Sequence, residues 1–280
     1  SGHELLDGRR FSQVLIDEAT QATEPSTLVP IVRGARQVVL VGDHRQLSPT
    51  VISRRSSEGG LSRSLFERVM DMGVIPHLLS KQYRMHPGIS EFPNQQFYSG
   101  KLEDGVSESE RSAPAGILWP DWERPIAFLP IEGGEMAGPD GASKENRTEA
   151  SWVAKIVEDI INAGEVGMDE IGIITPYAAQ VRAIRDVLPE SLSNLEVKTV
   201  DGYQGREKEV IIFSCVRSNS EGRVGFLSDP RRLNVALTRA KRGLIVIGDP
   251  STLREDDNWS AWLEHARKHN LEAWHIIGMG

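Results

Sequence analysis

Val14-Leu15-Ile16-Asp17-Glu18-Ala19-Thr20-Gln21 sets a short apolar run directly before two adjacent carboxylates. An unbroken apolar run of this length, with no polar alternation, reads as a strand buried on both faces, as in a parallel sheet. Open parallel sheets bind their ligands at the carboxyl ends of strands, so Asp17 and Glu18 are expected to face a crevice. Magnesium takes hard carboxylate oxygens, often through water, and phosphoryl transfer to water needs a second group to orient or deprotonate the nucleophile. Asp17 suits the first task and Glu18 the second. Taken alone, the pair also fits a helix N-cap.

Outward from this stretch, further strand-length apolar runs lie at 38–41, 171–175, 197–200, 210–216 and 244–247, with helix-length amphipathic segments at 25–32, 147–163, 177–188, 230–240 and 259–269. This alternation predicts an α/β fold, a parallel sheet with crossover helices. Pro25 suits a first helical position and Gly34 a helix end. Two stretches break the rhythm. Residues 53–60 are polar and glycine-rich and read as a loop, while 107–143, rich in proline and glycine with Trp119 and Trp122, reads as an irregular excursion. Because 61–70 looks like the last helix of a first domain, the boundary is placed after residue 78, giving domains 1–78 and 79–280.

Composition sets the bounds. A chain of 280 residues with 39% apolar content can build a core. Its apolar runs are strand-sized, far below the roughly 20 residues that cross a bilayer. With no secretory signal visible, a non-secreted protein of the cytoplasm or nucleus is expected, with no membrane partner. The single Cys215 lies in the run 210–216 and reads as a buried small side chain, and the seven histidines show no metal-ligand spacing along the sequence. A net charge of −8 argues against nucleic acid on average. A local basic track suffices, however, and basic residues cluster at Arg54-Arg55, Arg231-Arg232 and 239–242.

Four more clusters carry chemistry. After the second strand, Gly42-Asp43-His44-Arg45-Gln46-Leu47 places a glycine for a sharp turn and Gln46 where an amide can sense a terminal phosphate; alone, it is also an ordinary turn. In Gln82-Tyr83-Arg84-Met85-His86-Pro87, Tyr83 suits stacking on a planar base and Arg84 suits phosphate oxygens, against a reading as packed tyrosine and solvated arginine. Thr199-Val200-Asp201-Gly202-Tyr203-Gln204-Gly205-Arg206-Glu207 follows a strand, and the backbone amides of such a turn can hold the phosphates of a bound strand. In 233–240, the apolar Leu233, Leu237 and Ala240 share one helical face and Arg232 and Arg239 another, so a rigid helix is expected to present Arg239 across a cleft as an arginine finger.

Taken in order, these five clusters resemble the motifs II to VI of superfamily 1B helicases, and among them the nonsense-mediated-decay RNA helicases; 146–150 and 173–177 match the same family's style. The resemblance covers nearly the whole chain. It implies RecA-like domains of the P-loop NTPase type, a partial first and a complete second, with ATP and Mg2+ between them. It further implies 5′-to-3′ movement on single-stranded RNA, with a DNA helicase of the replication and repair relatives or a non-catalytic scaffold as the alternatives. On that resemblance Glu18, Gln46, Arg84 and Arg239 are the expected catalytic residues. Asp17, Tyr83, Gly205 and Glu207 would bind nucleotide, Asp17 through a water-held magnesium, Tyr83 on adenine and Glu207 on the ribose. Pro49, Thr50, Thr199 and Val200 would meet nucleic acid.

One departure stands out. The phosphate-binding pattern of Gly, four residues, Gly-Lys and Ser or Thr is absent, since Gly100-Lys101 is followed by Leu102 and preceded at the required position by Gln95. The family carries that loop upstream of motif II. The chain opens at Ser1, shortly before Asp17, and is therefore expected to be a piece of a longer protein whose upstream domains complete the site.

Overall fold

A computed structural model describes residues 8–139, 141 and 143–273. The chain divides into two compact units, Ser1–Leu78 and Leu79–Gly280.

In the first unit, β1 (Gln13–Ile16) and β2 (Gln37–Leu40) pair in parallel, Val14 opposite Val38 and Ile16 opposite Leu40. The crossover is α1 (Glu24–Ile31), with proline in its first turn as the sequence suggests. The stretch 53–60 is not a plain loop: Ser53 caps a short helical turn, Arg54–Ser56, that widens into Ser57–Leu61. The helix expected at 61–70 is α2 (Leu65–Asp71), set by a capping box in which the Ser64 hydroxyl accepts from the Glu67 N–H.

The second unit is built on five parallel strands: β3 (Ile126–Pro130), β4 (Ile171–Thr175), β5 (Glu196–Thr199), β6 (Lys208–Ser214) and β7 (Ala240–Gly248), in the spatial order β3-β7-β6-β4-β5. Ile212 lies opposite both Ile173 and Ile245, so the centre of the sheet is continuous β-branched side chain. Alternation assigns the faces. Val210 and Ile212 pack with Ile173 and Ile245 under α4 (Arg147–Ala163) and α5 (Ala178–Val187), through Val153, Ile156, Ile160 and Ile184. Phe213 and Phe128 point the other way, where their rings meet Trp259 and Trp262 of α7 (Asp257–Lys268). Helices on both faces explain why these strands read as uninterrupted apolar runs.

The excursion expected at 107–143 is corrected by β3, a fully buried edge strand inside that stretch, and by Trp119, only 4% exposed, which donates its indole N–H to the Pro114 carbonyl (2.7 Å). Proline at 125 and 130 concealed the strand, and an edge is where a sheet tolerates it. A further helix, α3 (Pro87–Tyr98), begins at the proline that closes the Tyr83-Arg84 cluster. Finally, α6 (Pro230–Leu237) stops short of 240, because the Thr238 hydroxyl bonds back to the Asn234 carbonyl (2.7 Å) and Ala240 opens β7.

Candidate functional site

The carboxyl end of β1 is tied to β2 by two backbone bonds, Val41 N–H to Ile16 O and Ala19 N–H to Val41 O, each 2.8 Å. Between them Glu18 sits in the left-handed region at φ 50°. For a residue with a Cβ this costs about 1–3 kcal/mol and concentrates at functional positions. The Asp17 carboxylate accepts the Glu18 N–H (2.9 Å), and Glu18 in turn accepts from the Gln21 amide (2.5 Å). The helix-cap alternative is excluded: α1 starts only at Glu24, with Thr23 at its cap position. Both acids are exposed.

Gly42 serves close approach more than a turn. A Cβ there would lie 3.0 Å from the Thr20 N and 3.1 Å from its hydroxyl, so glycine lets the second cluster press against the first. Beyond it Asp43 organises the loop, accepting the Arg45 N–H (2.9 Å) and the Gln46 amide (2.8 Å). Gln46 is thereby half-buried with its side chain held. Pro49 is buried and Thr50 exposed.

In the second unit four distant segments meet. Arg84 donates to Glu207 (2.5 Å) and to the Thr238 carbonyl (3.1 Å), while Arg239 donates to the Thr238 hydroxyl (2.9 Å) and the Val235 carbonyl (3.1 Å). Lys241 approaches Glu207 (3.4 Å) and Glu209 (3.1 Å). Burial alone would raise the Glu207 carboxyl, but the Arg84 hydrogen bond and the charges of Arg84 and Lys241 outweigh it and hold the group below the usual carboxylate range. The segment is anchored from behind, since the His86 N–H donates to the Lys241 carbonyl (2.8 Å) and its Nδ1 accepts the Gly88 N–H (2.9 Å), capping α3. Tyr83 is 61% exposed; Arg111 fixes the carbonyls of Tyr83 (3.0 Å) and Arg84 (2.9 Å).

Two expectations change. Arg239 is not presented by a helix: it lies beyond the end of α6, 2% exposed, with its guanidinium turned onto Thr238. Arg232, expected to share its face, instead pairs with Asp201 (3.3 Å). A third change concerns Val200, which is 1% exposed, its N–H donating to the Thr175 carbonyl (3.0 Å) and its carbonyl accepting the Tyr203 N–H (3.1 Å). Thr199 accepts the Gly202 N–H (3.3 Å), and Gly205 takes φ 74° in the turn that leads to Glu207.

Sequence reading missed Thr238, the residue that joins Arg84 to Arg239, because its contribution is largely a backbone carbonyl. It also missed a buried polar network. Glu149 accepts from the Ser214 hydroxyl (2.6 Å) and the Val216 N–H (2.9 Å), while Gln180 bridges Ser214 (3.0 Å) and Asn146 (3.0 Å). Asn146, three residues before Glu149, announces only the cap of α4 that it indeed forms. Val216 pays for the network with φ 73°, an outlier for a β-branched residue.

A parallel five-stranded sheet with helices on both faces is a RecA-like α/β architecture. Residues 61–251 match a family described as an AAA domain, and residues 1–54 match a second description of an AAA domain. The chain belongs to this AAA-domain family, and nearly all of it aligns with helicases of the nonsense-mediated-decay group. It is 46% identical over 272 residues to the Regulator of nonsense transcripts 1 homolog of Arabidopsis thaliana, covering 94% of this chain and 22% of that protein. It is 44% identical over 276 residues to the ATP-dependent helicase NAM7 of Saccharomyces cerevisiae, covering 96% and 28%. The chain thus spans less than a third of these relatives. Among solved structures it is similar to the arterivirus nonstructural protein 10 helicase, at 15% identity and TM-score 0.46, covering 91% of this chain and 42% of that one.

Proposed function

We propose that this chain supplies the hydrolysis and coupling residues of an ATP-dependent helicase that moves 5′ to 3′ on single-stranded RNA. The observation that carries the proposal is that Arg84 bonds both Glu207 and the Thr238 carbonyl, 154 residues away, while Arg239 bonds the hydroxyl of the same Thr238. Two guanidinium groups on one residue, with a carboxylate paired to one of them, suit a triphosphate and its ribose better than a packing role.

In this reading Arg84 exchanges Glu207 for phosphate oxygens when ATP binds, which frees Glu207 for the ribose hydroxyls, and Tyr83 stacks on adenine. Arg239 steadies the transferring phosphoryl group, directly or through Thr238. Gln46, held by Asp43, aligns the terminal phosphate. Glu18 orients the attacking water, its left-handed backbone aiming the carboxylate. Asp17 fits a water-held magnesium by donor chemistry: it offers hard oxygen, is exposed, and spends one oxygen on the Glu18 N–H (2.9 Å). The ion, when bound, neutralises charge developing on phosphate oxygens. Gly205 shapes the turn before Glu207, and Pro49, Thr50 and Thr199 contact nucleic acid. This sequence carries no lysine-bearing phosphate loop, so the chain by itself turns over ATP barely above background. The compartment that suits this role is the cytoplasm or nucleus.

The test uses the full-length protein. Replacing Glu18→Gln should lower RNA-stimulated ATP turnover by about 10²–10⁴-fold while nucleotide binding persists. Undiminished turnover removes Glu18 from its role. Stimulation by single-stranded DNA above that by RNA would favour the replication and repair relatives.

A further inference from the structure

Read along the sequence, the histidines offer no metal pattern, but His265 in the last turn of α7 and His269 at its C-cap stand four apart, with the His269 N–H donating to the His265 carbonyl (3.1 Å). Their rings lie 4.6 Å apart. Glu91 of α3 reaches the same point, its Oε1 3.8 Å from His269 Nε2. One ligand atom from each of the three residues lies within 4.8 Å of the other two. Among the described residues, neither Nε2 has a hydrogen-bond partner, although both atoms are buried. A native interior seldom leaves two adjacent polar atoms unmet, and an unmet pair facing a carboxylate points to an ion.

We infer that Glu91, His265 and His269 form a zinc-class divalent transition-metal site that clamps α7 to α3, independent of the nucleotide machinery. Two imidazole nitrogens and one carboxylate oxygen are a borderline-soft donor set that zinc accepts and calcium or magnesium does not favour. In a four-coordinate zinc site ligand atoms stand roughly 3.3 Å apart, so side-chain shifts on the order of 1 Å close the set, with water in the fourth position. The support around it is already built. Arg124 holds the other oxygen of Glu91 (3.1 Å) and is itself held by Asp121 (3.3 Å), the outer contact that orients a ligating carboxylate. Phe92 packs on His265 at 5.4 Å between ring centres, and Gln96 bonds Asn258 (3.0 Å), so the two helices are in register before any ion arrives.

The experiment titrates zinc chloride into the tag-free, chelator-stripped chain by calorimetry and repeats the titration with cobalt(II) by visible absorption. The expected result is one saturable equivalent of zinc and the intense d–d band of four-coordinate cobalt. Both are lost in His265→Gln and in His269→Gln and kept in His77→Gln. Circular dichroism checks that each variant folds. Should His265→Gln fail to fold, His269→Gln and Glu91→Gln, at partly exposed side chains, give the same reading. No saturable zinc binding by the parent chain, or an equivalent that survives in folded His269→Gln and Glu91→Gln, overturns the proposal.

Discussion

Glu149 is fully enclosed, and burial pushes its carboxyl up to about 8 against the opposing hydrogen bonds from Ser214 and Val216. Between 4.5, the ordinary value, and about 8 the native chain therefore binds a proton that the unfolded chain releases. The sign follows: this contribution to stability is fully present below the unfolded value and is lost as pH rises through the native one. Urea midpoints should fall from pH about 5 to pH about 8, and Glu149→Gln should flatten that slope. An unchanged slope would mean that the proton is not there. Glu207 runs the other way. Its carboxyl is held low once the contacts of Arg84 and Lys241 outweigh burial, so its contribution is present above 4.5 and fades as acid protonates it. At this scale the sequence showed the residues with local geometry, such as Asp17 and Glu18 at a strand end. It could not show Glu149, whose partners Ser214 and Val216 are more than 60 positions away.

The elements divide along the same line. The run at 171–175 and the helix at 147–163 lie where periodicity puts them, because each is set by its own side chains. The buried strand Ile126–Pro130 was hidden by its flanking prolines, and the end of α6 depends on one hydroxyl competing for a backbone carbonyl. Trp119 shows what the misread stretch contributes. A Cβ on Gly243 of β7 would come within 2.8 Å of its ring, so the indole occupies space that the strand leaves open by having glycine there. Truncation, Trp119→Ala, should cost about 3–5 kcal/mol of unfolding free energy, the range for emptying a large aromatic site. The measurement is a urea titration followed by circular dichroism. A loss below about 1 kcal/mol, the level of a surface substitution, would return the segment to a peripheral excursion.

Across the whole molecule the two units differ in how much sheet they own. Residues 79–280 enclose five parallel strands between helices, with aromatic and β-branched side chains on both faces. Among its described residues the first unit, Ser1–Leu78, holds two strands, and several apolar side chains on them are uncovered: Leu15 is 68% exposed and Val39 52%. Two paired strands without a covered face are marginal in water, since three or more strands or a packed helix are needed to repay chain entropy. A chain of residues 79–280 should therefore fold alone and unfold cooperatively, whereas residues 1–78 alone should not. In the intact chain, limited proteolysis should remove the first unit early and leave a resistant fragment beginning near Leu79. Cleavage that spares 1–78 while degrading the five-stranded unit would contradict this, and would mean that β1 and β2 draw stability from contacts other than their own two-stranded ladder.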